Sequence, residues 1–154
     1  MVVIKSSRKM NNLLIFNRAE SSRLSLNISL LLLRVGIAGE LFFVHGLKKL
    51  GVGTGVAEAV PNPFHLPETL NYWTAVSANL FFPILVMVGL FTRLSVIPTL
   101  VVTLTGYFIV HANDPLLEKD IPYVYSLVFI FLLIAGPGKF SIDYLISTKK
   151  KVRS

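Results

Sequence analysis

The chain has 154 residues, one domain by length, of which only 15% are charged against about 25% in an ordinary soluble protein. Residues of the AVILMFWYC set make up 53% and the mean hydropathy is +0.68, which excludes a disordered chain and a soluble domain of this size. There is no cysteine, so the chain alone forms no disulfide, thiolate ligand or thiol redox couple, and the net charge of +7 must be read from its distribution.

Residues 1–23 carry Lys5, Arg8, Lys9, Arg18 and Arg23. The apolar run from Leu13 to Phe16 is too short for the core of a secretory signal, so the segment reads as a basic cytosolic tail, with Met10 as an alternative start to Met1. A first membrane span is expected over about 24–47, interrupted by Arg34 and Glu40. Charges at membrane depth cost roughly 2.5–3.5 kcal/mol each on the insertion scale, which the apolar residues around them only about cancel. The two lie about 120° apart around the helix and cannot pair with each other, so each needs a partner on another helix. Gly36 and Gly39 permit close approach there. The connection 48–66 holds Gly51, Gly53, Gly55, Pro61 and Pro63 and reads as a turn-rich loop, because its glycines follow no strand and lack dinucleotide-binding spacing.

A second span is expected over about 67–90, with Pro67 and Glu68 at its start and Tyr72 and Trp73 at interface depth. Pro83 falls mid-helix and lacks an amide, which in α-helical register leaves the Asn79 carbonyl without its donor and bends the helix. A tight turn with Arg93 leads to a third span, 94–111, with Thr99, Thr103 and Thr105 available to bond back or across. A fourth span is expected over about 121–138, with Asp120 as N-cap and Pro122 in the first turn. Phe140 to Ile146 reads as interfacial and amphipathic, and 147–154 as a second basic tail. Phe42-Phe-Val-His45 and Phe108-Ile-Val-His111 close spans 1 and 3 at an offset of 66 residues, as two duplicated hairpins would.

The tails and the turn at Arg93 hold 11 of the 15 basic residues, whereas the first and third connections hold five of the eight acids. The positive-inside rule then places both termini in the cytoplasm, and the excess charge serves topology and anionic lipid rather than nucleic acid. The expected fold is all-α: an integral-membrane four-helix bundle, N-in/C-in, with one domain over 24–146.

Leu33-Arg34-Val-Gly36, His45-Gly46-Leu-Lys-Lys49-Leu50, Val88-Gly89-Leu90-Phe91-Thr92-Arg93-Leu94, Val110-His111-Ala-Asn-Asp114-Pro115 and Gly136-Pro137-Gly138-Lys139-Phe-Ser141-Ile-Asp143 follow one another in the chain. In this order and spacing they resemble the DoxX family of small membrane proteins, over about 30–146. The resemblance implies a four-helix bundle in the plasma (inner) membrane of a prokaryote and an association with redox complexes, through relatives that are subunits of thiosulfate:quinone oxidoreductase. It does not imply that this chain oxidises thiosulfate. Family members usually carry a glutamate four residues before the proline of span 2. This chain has Asn79 there and gains Glu40 in span 1, both about 10 Å below the outer ends of their spans.

Glu40, His45, Asn79, Tyr107, His111 and Tyr125 all project to the outer half of the spans, with Arg34 deeper. Such a cluster is expensive in lipid unless it is internally bonded or faces a cavity. Three readings stand side by side. In the first, the groups fasten the bundle. In the second, they line a pocket for a quinone or another small amphipathic molecule, with His45, His111 and Tyr107 as donors, Glu40 handling protons, and Glu40 and Asn79 sharing one cavity lined by His111. In the third, Glu40, His45 and His111, with His65, hold zinc or iron, although none share the spacing that puts two ligands on one helix face. The expected function is a small subunit of a membrane-associated redox complex, with a non-catalytic scaffold or assembly partner for another enzyme as the alternative. Expected partners are membrane lipid, a redox enzyme subunit and further copies of the chain in a homo-oligomer.

Overall fold

The computed structural model describes the backbone of residues 2–153 and the side chains of residues 20–150. Among them all regular structure is helical. Helix α1 (Val2–Glu40) runs into a π-helical segment, π1 (Leu41–Gly46), and a last turn, α2 (Leu47–Lys49). After the 50–67 connection, α3 (Glu68–Val76), π2 (Ser77–Phe81) and α4 (Phe82–Val88) form one continuous rod. Helix α5 (Thr92–Thr105) continues into π3 (Gly106–Val110), α6 spans Leu116–Ala135, and α7 spans Ile142–Arg153.

Three helical runs, Glu20–Lys49, Glu68–Val88 and Thr92–Val110, are long and apolar enough to cross a membrane. Their outward residues are mostly apolar. Leu32, Leu94 and Phe108 are each about two-thirds exposed, an exterior that suits lipid. The interior carries polar groups instead: Arg34, Asn79, Thr92, Thr99, Thr103 and Ser126 are buried. No buried polar side-chain atom among the described residues lacks a hydrogen-bond partner, as a low-dielectric interior demands. The rods pack in sequence order, α1 on α4, α4 on α5 and α5 on α6, and α6 touches α1 only along a thin seam. Val86, Val96, Phe129 and Leu132 fill the centre.

Two element starts differ from the sequence expectation. Helix α1 begins at Val2 rather than near residue 24, so the basic tail extends the first rod as a helix. Helix α6 begins at Leu116 with Pro115 (φ −55°, ψ 151°) at its N-cap, so Asp120 lies inside the helix and does not cap it. Proline at 115 pre-sets the dihedral and needs no amide partner, whereas Asp120 would have left the preceding turn unpaired. The charges Glu118, Lys119 and Asp120 occupy the start of α6, and its apolar part begins at Ile121.

The lower end of the rods, at the 89–91 turn, is closed by polar bonds. The Arg34 guanidinium donates to the carbonyls of Met87 (3.3 Å), Pro137 (2.6 Å) and Phe140 (2.7 Å). The Asp143 carboxylate accepts from the Phe91 amide (2.7 Å), the Thr92 amide (2.9 Å) and the Thr92 hydroxyl (3.0 Å), capping α5 from a distant part of the chain. Gly89, at φ +72°, ends α4 in the left-handed region and lies against the Arg34 side chain.

Candidate functional site

The upper end of the rods, beneath the 50–67 connection, is built differently. Each of the three membrane-length rods widens there from α to π geometry, at π1, π2 and π3. A π segment inserts a residue into the turn, loosens the backbone bonding pattern and rotates the following side chains. The three segments border one cavity of about 510 Å³. That volume lies within the usual range for small-molecule sites, about 300–1,000 Å³. Leu41, Ala75, Phe64, Ile121 and Pro122 give it apolar walls, and the 58–66 stretch of the connection covers it.

Its polar groups are His45, Lys49, Glu58, Asn79, His111 and Tyr125. His45 meets Tyr125 edge to face, with ring centroids 5.5 Å apart. Tyr125 stacks in turn on Phe129 of the core (6.3 Å), which fixes both rings. His111 is held through Nδ1 by the Asp114 carboxylate at 2.7 Å. Lys49 and Lys48 both bind the Glu58 carboxylate, at 3.2 and 3.0 Å, and so tie the covering connection to the end of the first rod. Burial pushes the Glu58 carboxyl up, but hydrogen bonds and charge from the two lysines outweigh this and hold it below its ordinary value. The Tyr72 hydroxyl adds a bond to the Lys49 carbonyl (3.1 Å).

Asn79 is 3% exposed and sits within π2. The backbone group left over near Pro83 is not the one expected from sequence. In the π register the amide missing at residue 83 would have served Ala78, and the buried Thr99 hydroxyl donates to the Ala78 carbonyl at 3.1 Å instead. The Asn79 carbonyl packs on Gly46, where a Cβ would overlap it and the Leu80 side chain. A glycine is therefore required where the first two rods cross. Thr103 bonds back to the Leu100 carbonyl (3.1 Å) and accepts from Ser126 (3.0 Å), which ties α5 to α6.

Of the residues singled out from sequence, His45, Asn79, His111 and Tyr125 come together at this cavity. The other three do not. Arg34 is at the lower end with its donors engaged by carbonyls. Tyr107 packs against Phe108 and Tyr123, with the Lys119 ammonium 5.9 Å from its ring. Glu40 is exposed on the side of α1 and does not line the cavity, so it shares no cavity with Asn79. The exchange of a carboxylate between spans 1 and 2 is thus not a move within one pocket. Glu40, His45 and His111 form no metal-binding group either: no cluster of three or more His, Cys, Asp or Glu suited to a metal occurs among the described residues. His65 lies exposed in the connection at φ +52°. Lys49 and Glu58 were not singled out from sequence. Charges next to glycine-rich loops look like ordinary solvated residues, and only the folded connection brings them to the cavity.

A DoxX family model matches residues 29–112, which include Arg34, His45, Asn79 and His111. A Haemophilus influenzae protein described as uncharacterized is 33% identical over 127 residues, covering 77% of this chain and 83% of the relative. No solved structure matches. With a motif order that runs from Arg34 to Asp143 and a family match over more than half of its length, the chain belongs to the DoxX family.

Proposed function

We propose that the chain is a four-span protein of the plasma (inner) membrane with both termini in the cytoplasm, and that it holds a quinone or a similar small amphipathic molecule in the cavity of its outer half, as a small subunit of a membrane-associated redox complex. The observation that carries this reading is the convergence of three π segments on one cavity. Three local departures from α geometry each weaken backbone bonding, and such segments are frequent at functional sites. The apolar walls suit a ring or a prenyl tail. Donors for carbonyl oxygens come from His45, the Asn79 amide, the Tyr125 hydroxyl and Lys49. Helix α6 serves as the fourth span in this reading, and the basic tails on α1 and α7 stay on the cytoplasmic side.

The test is to purify the protein in mild detergent and analyse the extract by mass spectrometry, then to titrate a short-chain quinone analogue. We expect a bound lipid-soluble molecule with carbonyl groups, and His45→Ala or Asn79→Ala to weaken the analogue about 2- to 12-fold each, one hydrogen bond's worth. Recovery of a partner enzyme with an empty cavity and no analogue binding would overturn the reading and favour a non-catalytic scaffold.

A further inference from the structure

The donors assigned to the proposed ligand leave one cavity residue unused, His111. It stands at the end of π3, where its amide donates to the Gly106 carbonyl, five residues back, at 2.9 Å, in π register. The turn that follows is tied down on both sides. The Asp114 amide donates to the His111 carbonyl at 3.1 Å, and the Lys119 ammonium of α6 donates to the Ala112 carbonyl. Pro115 then starts α6. The ring and the carboxylate carried by this turn are therefore positioned by the ends of two well-packed rods, as a preorganised site requires.

Within the turn the Asp114 carboxylate meets His111 Nδ1 at 2.7 Å. An ionised carboxylate only accepts, so the proton of a neutral imidazole resides on Nδ1. Nε2 is then an acceptor. No other hydrogen bond of the ring occurs among the described residues, and His111 lines the cavity, so Nε2 is the ring nitrogen left for an occupant. The other carboxylates of the cavity do not offer the same. Glu58 is taken up by Lys48 and Lys49, and Glu118 is exposed at the rim.

We propose that the His111–Asp114 pair selects a hydroxyl on the occupant, so that the cavity takes a hydroquinone or a related phenol in preference to the corresponding quinone. The inference rests on the reading of the cavity as a site for a small amphipathic ring. The hydroxyl donates to Nε2, and the donors on the other rods remain for a further oxygen of the ligand. A quinone carbonyl at the same place sets two acceptors face to face and leaves both unpaired. Asp114 does not line the cavity; it is a positioning residue that fixes which ring nitrogen carries the proton.

Anaerobic titration of the detergent-purified protein at about pH 8, above the ordinary imidazole value of about 6.5, compares a short-chain benzoquinone, its hydroquinone and the dimethyl ether of that hydroquinone. The native chain should bind the hydroquinone about 2- to 12-fold more tightly than either of the others, one hydrogen bond's worth. Asp114→Asn supplies an amide that can donate to Nδ1 and moves the ring proton to Nε2, so the hydroquinone preference should vanish or reverse. His111→Phe keeps a ring without an acceptor and should also remove the preference. A pair that only braced the turn would change all three affinities together and leave their ratios as in the native chain. Equal binding of quinone and hydroquinone by the native chain, native ratios in both variants, or loss of every ligand in both variants would overturn the proposal and leave the cavity reading standing. Failure of the native chain to bind any of the three would remove the cavity reading, and this inference with it.

Discussion

Gly89→Ala tests whether the lower end of the rods is the rigid part of this fold. Gly89 sits at φ +72°, where an L residue costs roughly 1–2 kcal/mol. Its new Cβ would lie 2.7 Å from Arg34 Nη1 and 2.6 Å from the Ser141 Cβ, so something must move. Nη1 is the nitrogen that donates to the Pro137 carbonyl, and displacing it forfeits a hydrogen bond to a charged donor, about 1.5–3 kcal/mol. The sum is about 2.5–5 kcal/mol. Equilibrium unfolding in mixed micelles of rising SDS fraction measures it. The same substitution in an Arg34→Ala background should cost less, by about the 1.5–3 kcal/mol of the displaced bond, because that bond is already gone while the backbone cost and the contact with Ser141 remain. A loss below about 1 kcal/mol in the native background, or an equal loss in both, would refute the account of Gly89 and Arg34 as one packed unit.

Reporter fusions after Pro61 and Pro115 should read as external and one at Ser154 as cytoplasmic; a cytoplasmic signal at Pro61 would invert the proposed topology. Thr99→Val keeps the shape of a fully buried side chain but strips the Ala78 carbonyl of its hydroxyl donor, and should cost about 1–3 kcal/mol in the same unfolding assay, with a change inside 0.5 kcal/mol counting against the π-register account. Because the lysines hold the Glu58 carboxyl below its ordinary 4.5, their ion pairs contribute fully above that value and are lost as pH falls through the lower folded value. The protection factors of amides in the 50–67 connection, exchange rates taken against the intrinsic rate at each pH, should therefore fall on acidification below about pH 4.5 in the native protein and show no such step in Glu58→Gln, whose protection is already low.

The spans were legible because their signal is collective. Long uncharged runs between Thr69 and Gly138 mark apolar rods whatever their partners, and Pro67 and Gly89 mark where one of them starts and stops. The level at which His45, Asn79 and His111 lie was also readable, since depth along a rod follows from counting residues. What could not be read was rotation. Glu40 and Asn79 project to matching depths, yet Glu40 is exposed and does not line the cavity, because depth says nothing about azimuth. The π segments hid for a related reason. They leave no composition signature, and a register change at residues 77–81 moves the unpaired carbonyl from Asn79 to Ala78 without altering a single residue type. The repeat of Phe-x-Val-His at 45 and 111 was the one trace of them, for π1 encloses the first copy and the second ends one residue past π3.

The two ends of the rods embody opposite solutions to the same problem, a helix terminus in an apolar surrounding. At the lower end, side chains from distant parts of the chain answer the backbone groups one by one: Arg34 serves three carbonyls, and Asp143 serves two amides and a hydroxyl. The Arg34 and Asp143 side chains are both fully engaged in these bonds. At the upper end, the rods relax into π geometry, and the rings and amide that follow border open space instead of filling it. A fold that merely needed to be stable had the means to seal both ends the same way. In the proposed reading the lower end is the anchor that fixes the rods relative to one another, and the upper end is where they adjust to an occupant, with the Glu58 ion pairs tying the cover to the first rod.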